Sequence, residues 1–123
     1  MCIRDSPYVA THPDFNCPTE TGFAPDIGAI IAFIEASAGR RPDVILGKPY
    51  RGIVDEALQV TGLPKENLAM VGDRLYTDVA TGVHFGMTSI LVLSGETTQE
   101  MLDASDIRPS EVFGRLSDMI PYL

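Results

Sequence analysis

Cysteine, basic charge and long apolar runs are all scarce in this chain, and each scarcity closes off a class of function. Only Cys2 and Cys17 occur in 123 residues. Two such residues are neither a disulfide framework nor a CxxC metal pair, so a reducing cytoplasm is the expected compartment. Nine Lys and Arg stand against 17 Asp and Glu, giving a formal charge of −8. With no Lys/Arg cluster, neither nucleic acid nor an anionic membrane is an expected partner, because both demand a basic footprint. The longest strongly apolar stretch, Ile27 to Ile34, falls far short of the ~20 residues of a membrane span. No basic leader with an apolar region and cleavage site opens the chain. No G-x-G-x-x-G follows a strand-like run, which disfavours a dinucleotide-binding enzyme.

What is present suffices for a fold. The apolar share, 45%, is ordinary for a globular protein and too high for a disordered acidic tail. The length fits one modest domain. Residues 1–6, Met-Cys-Ile-Arg-Asp-Ser, carry no periodicity and run abruptly into Pro7-Tyr8-Val9-Ala10, which reads as the middle of a strand. The expectation is that residues 1–6 are non-native and that the true start lies upstream; a transcript giving Met1 as an authentic start would overturn it. From Thr11 to Pro25, Pro, Asn, Thr and Gly without an apolar period predict an ordered loop. Asp26 as N-cap, an apolar face at Ile27, Ile30, Ile31, Ile34 and Ala38, and Gly39 as a left-handed stop predict a helix over Ile27 to Ala38.

Beyond Pro42, short apolar runs alternate with amphipathic segments. Asp43-Val44-Ile45-Leu46 predicts a buried strand, and Tyr50 to Thr61 a helix with Ile53, Val54, Ala57 and Leu58 inward and Gly62 as its stop. Leu68 to Val71 is the next strand, Thr77 to Phe85 a helix ending at Gly86, and Thr88 to Leu93 a further strand. Thr97 with Glu100 forms a capping box for a helix through Ala104. A short strand near Val112 and a last helix from Arg115, limited by Pro121, complete the chain. This alternation implies an α/β fold with a parallel, Rossmann-like sheet.

In an open parallel sheet, ligands bind beyond the carboxyl ends of the strands. Gly47-Lys48-Pro49 closes one strand: Gly47 lets backbone approach a ligand, and Pro49 biases Lys48 towards an extended conformation. Gly72-Asp73-Arg74-Leu75-Tyr76-Thr77-Asp78 closes the next, with Asp73 at the strand tip and Asp78 one turn further. Two carboxylates beside a lysine suit Mg²⁺ and a phosphate, since Mg²⁺ takes hard oxygen ligands and shares a phosphate oxygen, while the lysine neutralises phosphate charge. Taken singly, either aspartate is equally well a helix cap, and Lys48 a solvated surface residue. Arg74 is open to a phosphate contact or a rim ion pair with Glu or Asp. Ser94-Gly95-Glu96-Thr97 can line the pocket rim or simply turn the chain into a helix. Cys17 has no neighbouring base and reads as a small buried filler, and His84 as a favourable helix C-terminal charge.

These strand ends, with Ala10-Thr11-His12-Pro13-Asp14 and the Gly28-Ala29 helix, resemble the haloacid-dehalogenase (HAD) superfamily, in its NagD-like, p-nitrophenyl phosphatase branch with the larger α/β cap. Four separated segments occur in the family's order, from about Tyr8 onward. The resemblance implies a Mg²⁺-dependent phosphomonoester hydrolase working through an aspartyl-phosphate on a small phosphorylated metabolite. Carried over by motif, Lys48 is the catalytic and substrate-binding lysine that stabilises the transferring phosphoryl group. Asp73 is the direct Mg²⁺ ligand, and Asp78 holds metal-bound water or orients the groups around it. His12 and Asp14 fall in the cap loop where the family discriminates substrates; by residue type they are loop-shaping hydrogen bonders, and His12 is also a candidate substrate contact. Residues 1–41 correspond to the C-terminal remnant of the cap and 42–123 to the C-terminal half of the catalytic core.

The family's nucleophile lies in a DxDG(T/V) segment, and no Asp-x-Asp ends an apolar strand before Pro42. Without that nucleophile the chain as written is expected to be inactive on its own. A noncatalytic phosphate- and Mg²⁺-binding module is the alternative reading. A receiver-type signalling domain fits worst, because lysine precedes the acidic pair. An exposed sheet edge and apolar surface would favour homo-oligomers and poor solubility.

Overall fold

The computed structural model describes residues 6–123; residues 1–5, and with them Cys2 and most of the segment expected to be non-native, lie outside the described residues. The chain divides into two compact units, the first ending at Gly52 and the second running from Ile53 to Leu123.

In the first unit, β1 (Val9–Ala10) pairs in parallel with β4 (Val44–Ile45). The segment expected to be a loop is instead an antiparallel hairpin, β2 (Asn16–Thr19) on β3 (Gly22–Pro25), with Asn16 opposite Pro25 and Thr19 opposite Gly22. Pro18 and the lack of apolar alternation hide it, since both argue against a strand. Helix α1 (Ile27–Ala38) has the predicted bounds: the Asp26 side chain accepts from the Ile27 N–H, and Gly39 closes it at φ 63°. Its inward face only partly matches the one expected: Ile27, Ile31 and Ile34 are half-buried, but Ala38 is exposed. Gly28 is the buried residue and Ile30 is exposed, because Gly28 sits against Pro13, where a Cβ would lie 2.2 Å from the carbonyl oxygen. Strand β4 is not buried either. Val44 and Leu46 are about half exposed, as a two-residue strand whose described ladder partner is β1 alone must be. Cys17 is exposed on the hairpin, not a core filler.

Helix α2 (Arg51–Thr61) leads into the second unit, burying Val54 while Ile53 is exposed against expectation. There β5 (Ala69–Gly72), β6 (Thr88–Val92) and β7 (Glu111–Phe113) form a parallel sheet in sequence order. The α/β class with parallel sheets is therefore as expected. Helix α3 (Ala80–Phe85) joins β5 to β6, and α4 (Gln99–Ala104) joins β6 to β7. The predicted capping box at Thr97 is not formed, because the cap falls one residue later and Met101 then stands where the reciprocal acceptor would have to be. Thr98 is the N-cap and its side chain accepts from the Met101 N–H, while Thr97 is buried. The chain ends in a 3₁₀ segment, Leu116–Tyr122, that contains Pro121 rather than stopping before it. Leu75, Val79, Leu91 and Leu102 form the core, with Leu93 and Ile107 packed on it.

Among the described residues no helix is long and apolar enough to cross a membrane.

Candidate functional site: the carboxylates at the end of β5

Strand β5 ends at Gly72, and the chain does not enter a regular helix from there. Leu75–Val79 is a single π-type turn, in which the Val79 N–H reaches back to the Arg74 carbonyl at 3.1 Å. The wider turn sets the start of the helical segment earlier than the Thr77 predicted. It buries Leu75, Thr77, Asp78 and Val79 together, so a carboxylate is carried inward with the apolar side chains that seal the core. Turns of this kind recur at functional positions.

Asp78 is 4% exposed. A buried carboxylate needs hydrogen-bond donors, and its Oδ2 accepts from the Arg74 N–H at 3.3 Å. It also lies directly against Gly72, where a Cβ would stand 2.2 Å from the Asp78 Cγ. Asp78 thus packs on both chain neighbours of Asp73, just beyond the end of β5.

Asp73 is held from the other side. Its Oδ2 accepts from the Glu96 N–H at 2.8 Å, and its carbonyl accepts from the Thr97 N–H at 3.1 Å. Gly95 makes this approach possible, since a Cβ there would fall 2.0 Å from Asp73 Oδ2. Of the two roles open to Arg74, the structure shows the ion pair: its Nε meets Glu96 Oε2 at 2.7 Å. Tyr76 donates its hydroxyl to Glu96 Oε1 at 2.9 Å. Sequence reasoning placed the Glu96 segment as a possible pocket rim and allowed Arg74 a rim ion pair, but it did not join the two or include Tyr76. The sequence signal for Glu96 itself is a Gly-Glu pair just past the end of β6.

The donor set fits a hard divalent cation. Among the described residues no three His, Cys, Asp or Glu side chains gather as a metal cluster, but Mg²⁺ is ordinarily held by one or two carboxylates with waters and phosphate oxygens completing the shell. Two carboxylates whose space is kept clear by Gly72 and Gly95 meet that requirement.

Lys48 and His12 belong to the first unit. Gly47 brings the ends of β1 and β4 together, because a Cβ there would lie 2.4 Å from the Thr11 carbonyl oxygen and 2.9 Å from the His12 Cβ. Lys48 follows, half-buried, with a cis peptide bond to Pro49. His12 is engaged at both ring nitrogens: Nε2 lies 2.9 Å from Asp26 Oδ1 and Nδ1 lies 3.0 Å from Thr11 Oγ1. Asp14 accepts the Gly28 N–H on its carbonyl at 2.7 Å. Both residues therefore shape the turn into α1.

A family model described as HAD-hydrolase-like matches residues 45–119, more than half of the chain. An acid sugar phosphatase of Staphylococcus haemolyticus is 40% identical over 116 residues, covering 94% of this chain and 44% of that protein. One from Staphylococcus epidermidis is 37% identical over 124 residues, covering 100% and 48%. Among solved structures, a 4-nitrophenylphosphatase from Thermotoga maritima superposes with a TM-score of 0.91 at 52% identity, covering 96% of this chain and 45% of that one. A p-nitrophenyl phosphatase from Archaeoglobus fulgidus gives 0.89 at 41% identity, covering 99% and 48%. The chain spans less than half the length of each of these relatives.

Proposed function

This chain belongs to the HAD-hydrolase-like family, and from that premise we propose that it carries the metal-binding and lysine-bearing part of a Mg²⁺-dependent phosphomonoester hydrolase. The observation that supports this most is the pair of carboxylates at the end of β5, with Asp78 packed on both neighbours of Asp73. In this reading Asp73 binds the cation directly and Asp78 holds its water or orients the surrounding groups. Mg²⁺ bound there would supply charge neutralisation and polarisation of a phosphoryl oxygen. Lys48 is assigned from its place in the matched segment, as the cation that stabilises the transferring phosphoryl group. Residues 1–41 are then cap and 42–123 catalytic core.

The names of the relatives favour a sugar phosphate as the substrate class, with His12 contributing to the shape of the loop that meets it. A cytoplasmic location and self-association through exposed apolar side chains such as Phe23 and Phe33 belong to the same proposal.

The test is p-nitrophenyl phosphate hydrolysis with and without Mg²⁺, beside Asp73→Ala, with circular dichroism on both proteins. A folded chain without turnover is expected, since its sequence holds no Asp-x-Asp nucleophile segment. Mg²⁺-dependent turnover lost in Asp73→Ala would keep the metal site and overturn the expectation of inactivity. Turnover indifferent to Mg²⁺ and to Asp73 would overturn the whole reading.

A further inference from the structure

The phosphoryl chemistry proposed above makes no use of Glu96, yet Glu96 ties the loop after β6 to the loop after β5. Its N–H donates to Asp73 Oδ2, its Oε2 pairs with the Arg74 guanidinium and its Oε1 accepts from Tyr76. One residue thus contacts three of the four residues from Asp73 to Tyr76. Ion pairs near the surface contribute little stability by themselves, and Arg74 and Glu96 are 22% and 33% exposed at their side chains. The consequence of the clamp is positional. An aspartate at a strand tip turns freely about two torsions, and a single N–H on one carboxylate oxygen removes most of that freedom through a charge-assisted hydrogen bond.

Among the described residues, the Glu96 N–H is the hydrogen-bond donor to the Asp73 side chain, and it takes Oδ2. Gly95 lets that N–H come close, as no residue with a Cβ could. The Glu96 side chain then keeps the loop in place by gripping Arg74 and Tyr76, which follow Asp73 in the chain. The same grip pairs the Arg74 guanidinium with a carboxylate through its Nε.

We propose that Glu96 is a positioning residue, which fixes Asp73 by its Oδ2 so that Oδ1 is the oxygen presented to a divalent cation. The inference rests on the reading of Asp73 as the metal ligand. Partners one step removed from a metal commonly change its affinity by about 10- to 100-fold, and Glu96 acts at that remove.

The experiment is calorimetric titration of Mg²⁺ alone into the full chain and its variants, well below their melting temperatures, with melting curves recorded in parallel. Glu96→Ala should weaken Mg²⁺ binding about ten-fold, and Glu96→Gln less, because the amide oxygen still accepts the Tyr76 hydroxyl. Gly95→Ala should weaken it at least as much as Glu96→Ala, since its methyl must displace the Asp73 carboxylate. A purely structural role would lower melting temperatures while leaving the affinity of the folded chain unchanged, and that result overturns the proposal. Should Glu96→Ala not fold, Tyr76→Phe deletes one grip of the clamp and should weaken binding several-fold; unchanged affinity there overturns the proposal equally. Wild-type chain that binds no Mg²⁺ at millimolar concentration would sink the metal-ligand reading and this inference with it. Binding in the wild type matched by every variant would sink only the inference.

Discussion

Asp78 and Gly72 occupy one another's space: the carboxylate sits where a side chain at position 72 would be, with its Cγ 2.2 Å and its Cβ 2.4 Å from the position of a Cβ on Gly72. The carboxylate is buried, and the turn that carries it also carries Leu75 and Val79 of the core, so it cannot step aside without disturbing packed apolar groups. Gly72→Ala is therefore expected to destabilise the second unit by about 1–3 kcal/mol, the usual cost of forcing extra volume into a packed site. It should also weaken Mg²⁺ binding beyond what the loss of stability explains. Chemical denaturation with calorimetric titration on the same preparation checks both, and a variant as stable as wild type would contradict the packing described.

Local signals were legible in the sequence and through-space ones were not. Asp26 and Gly39 bracket α1 because capping chemistry is written in the residues that perform it. The pair Asp73 and Asp78 could be read from a strand end followed by one turn, although the π-type widening that buries Asp78 could not, since it depends on Leu75 and Val79 reaching the core. The hairpin at Asn16–Pro25 escaped because Pro18 and polar residues mask a pairing decided by register. Val54 was placed inward correctly, but periodicity alone also placed Ile30 and Ile53 on the inward faces, where they are exposed, and gave no sign that Gly28 is the buried position of α1. Glu96 lies 20 residues along the chain from Tyr76 and further still from Arg74, so only the folded chain brings them together.

Asp43 provides a pH-dependent tie in the first unit. Its Oδ2 accepts from the Tyr8 N–H at 2.6 Å and from Arg40 at 3.1 Å. The Tyr8 N–H first, and the Arg40 guanidinium second, hold its carboxyl below the ordinary carboxylate range. A carboxyl with a depressed folded value stabilises the fold at pH above its unfolded value, about 4, and loses that contribution as pH falls through the folded value. Asp43→Asn should accordingly melt below wild type at pH 6. The difference should shrink steadily as the pH is lowered beneath about 4. The side chain is largely exposed, so the expected difference is small. Melting curves at matched ionic strength across that range check it, and a gap that stays constant to pH 2 would show that the carboxylate's charge is not what joins Tyr8 to Asp43.

Leu91 tests where the second unit draws its stability. It lies in β6, the middle strand of the parallel sheet, is fully shielded from solvent and packs with Leu75, Val79 and Leu102. The first two belong to the turn that carries Asp78, and so that turn and the hydrophobic core share side chains. Truncating a buried leucine removes its transfer free energy and leaves a cavity, at a cost of about 2–5 kcal/mol. Leu91→Ala is expected to fall in that range by urea denaturation, whereas Val60→Ala, at a position 74% exposed on α2, should stay within about 0.5 kcal/mol of wild type. Because the cavity opens directly under the π-type turn, Leu91→Ala should also loosen Asp78, read as faster amide exchange at Arg74 and Val79 than in the rest of the unit. Equal effects of the two truncations on stability, or exchange at the turn no faster than elsewhere, would separate the core from the site and contradict their sharing one set of side chains.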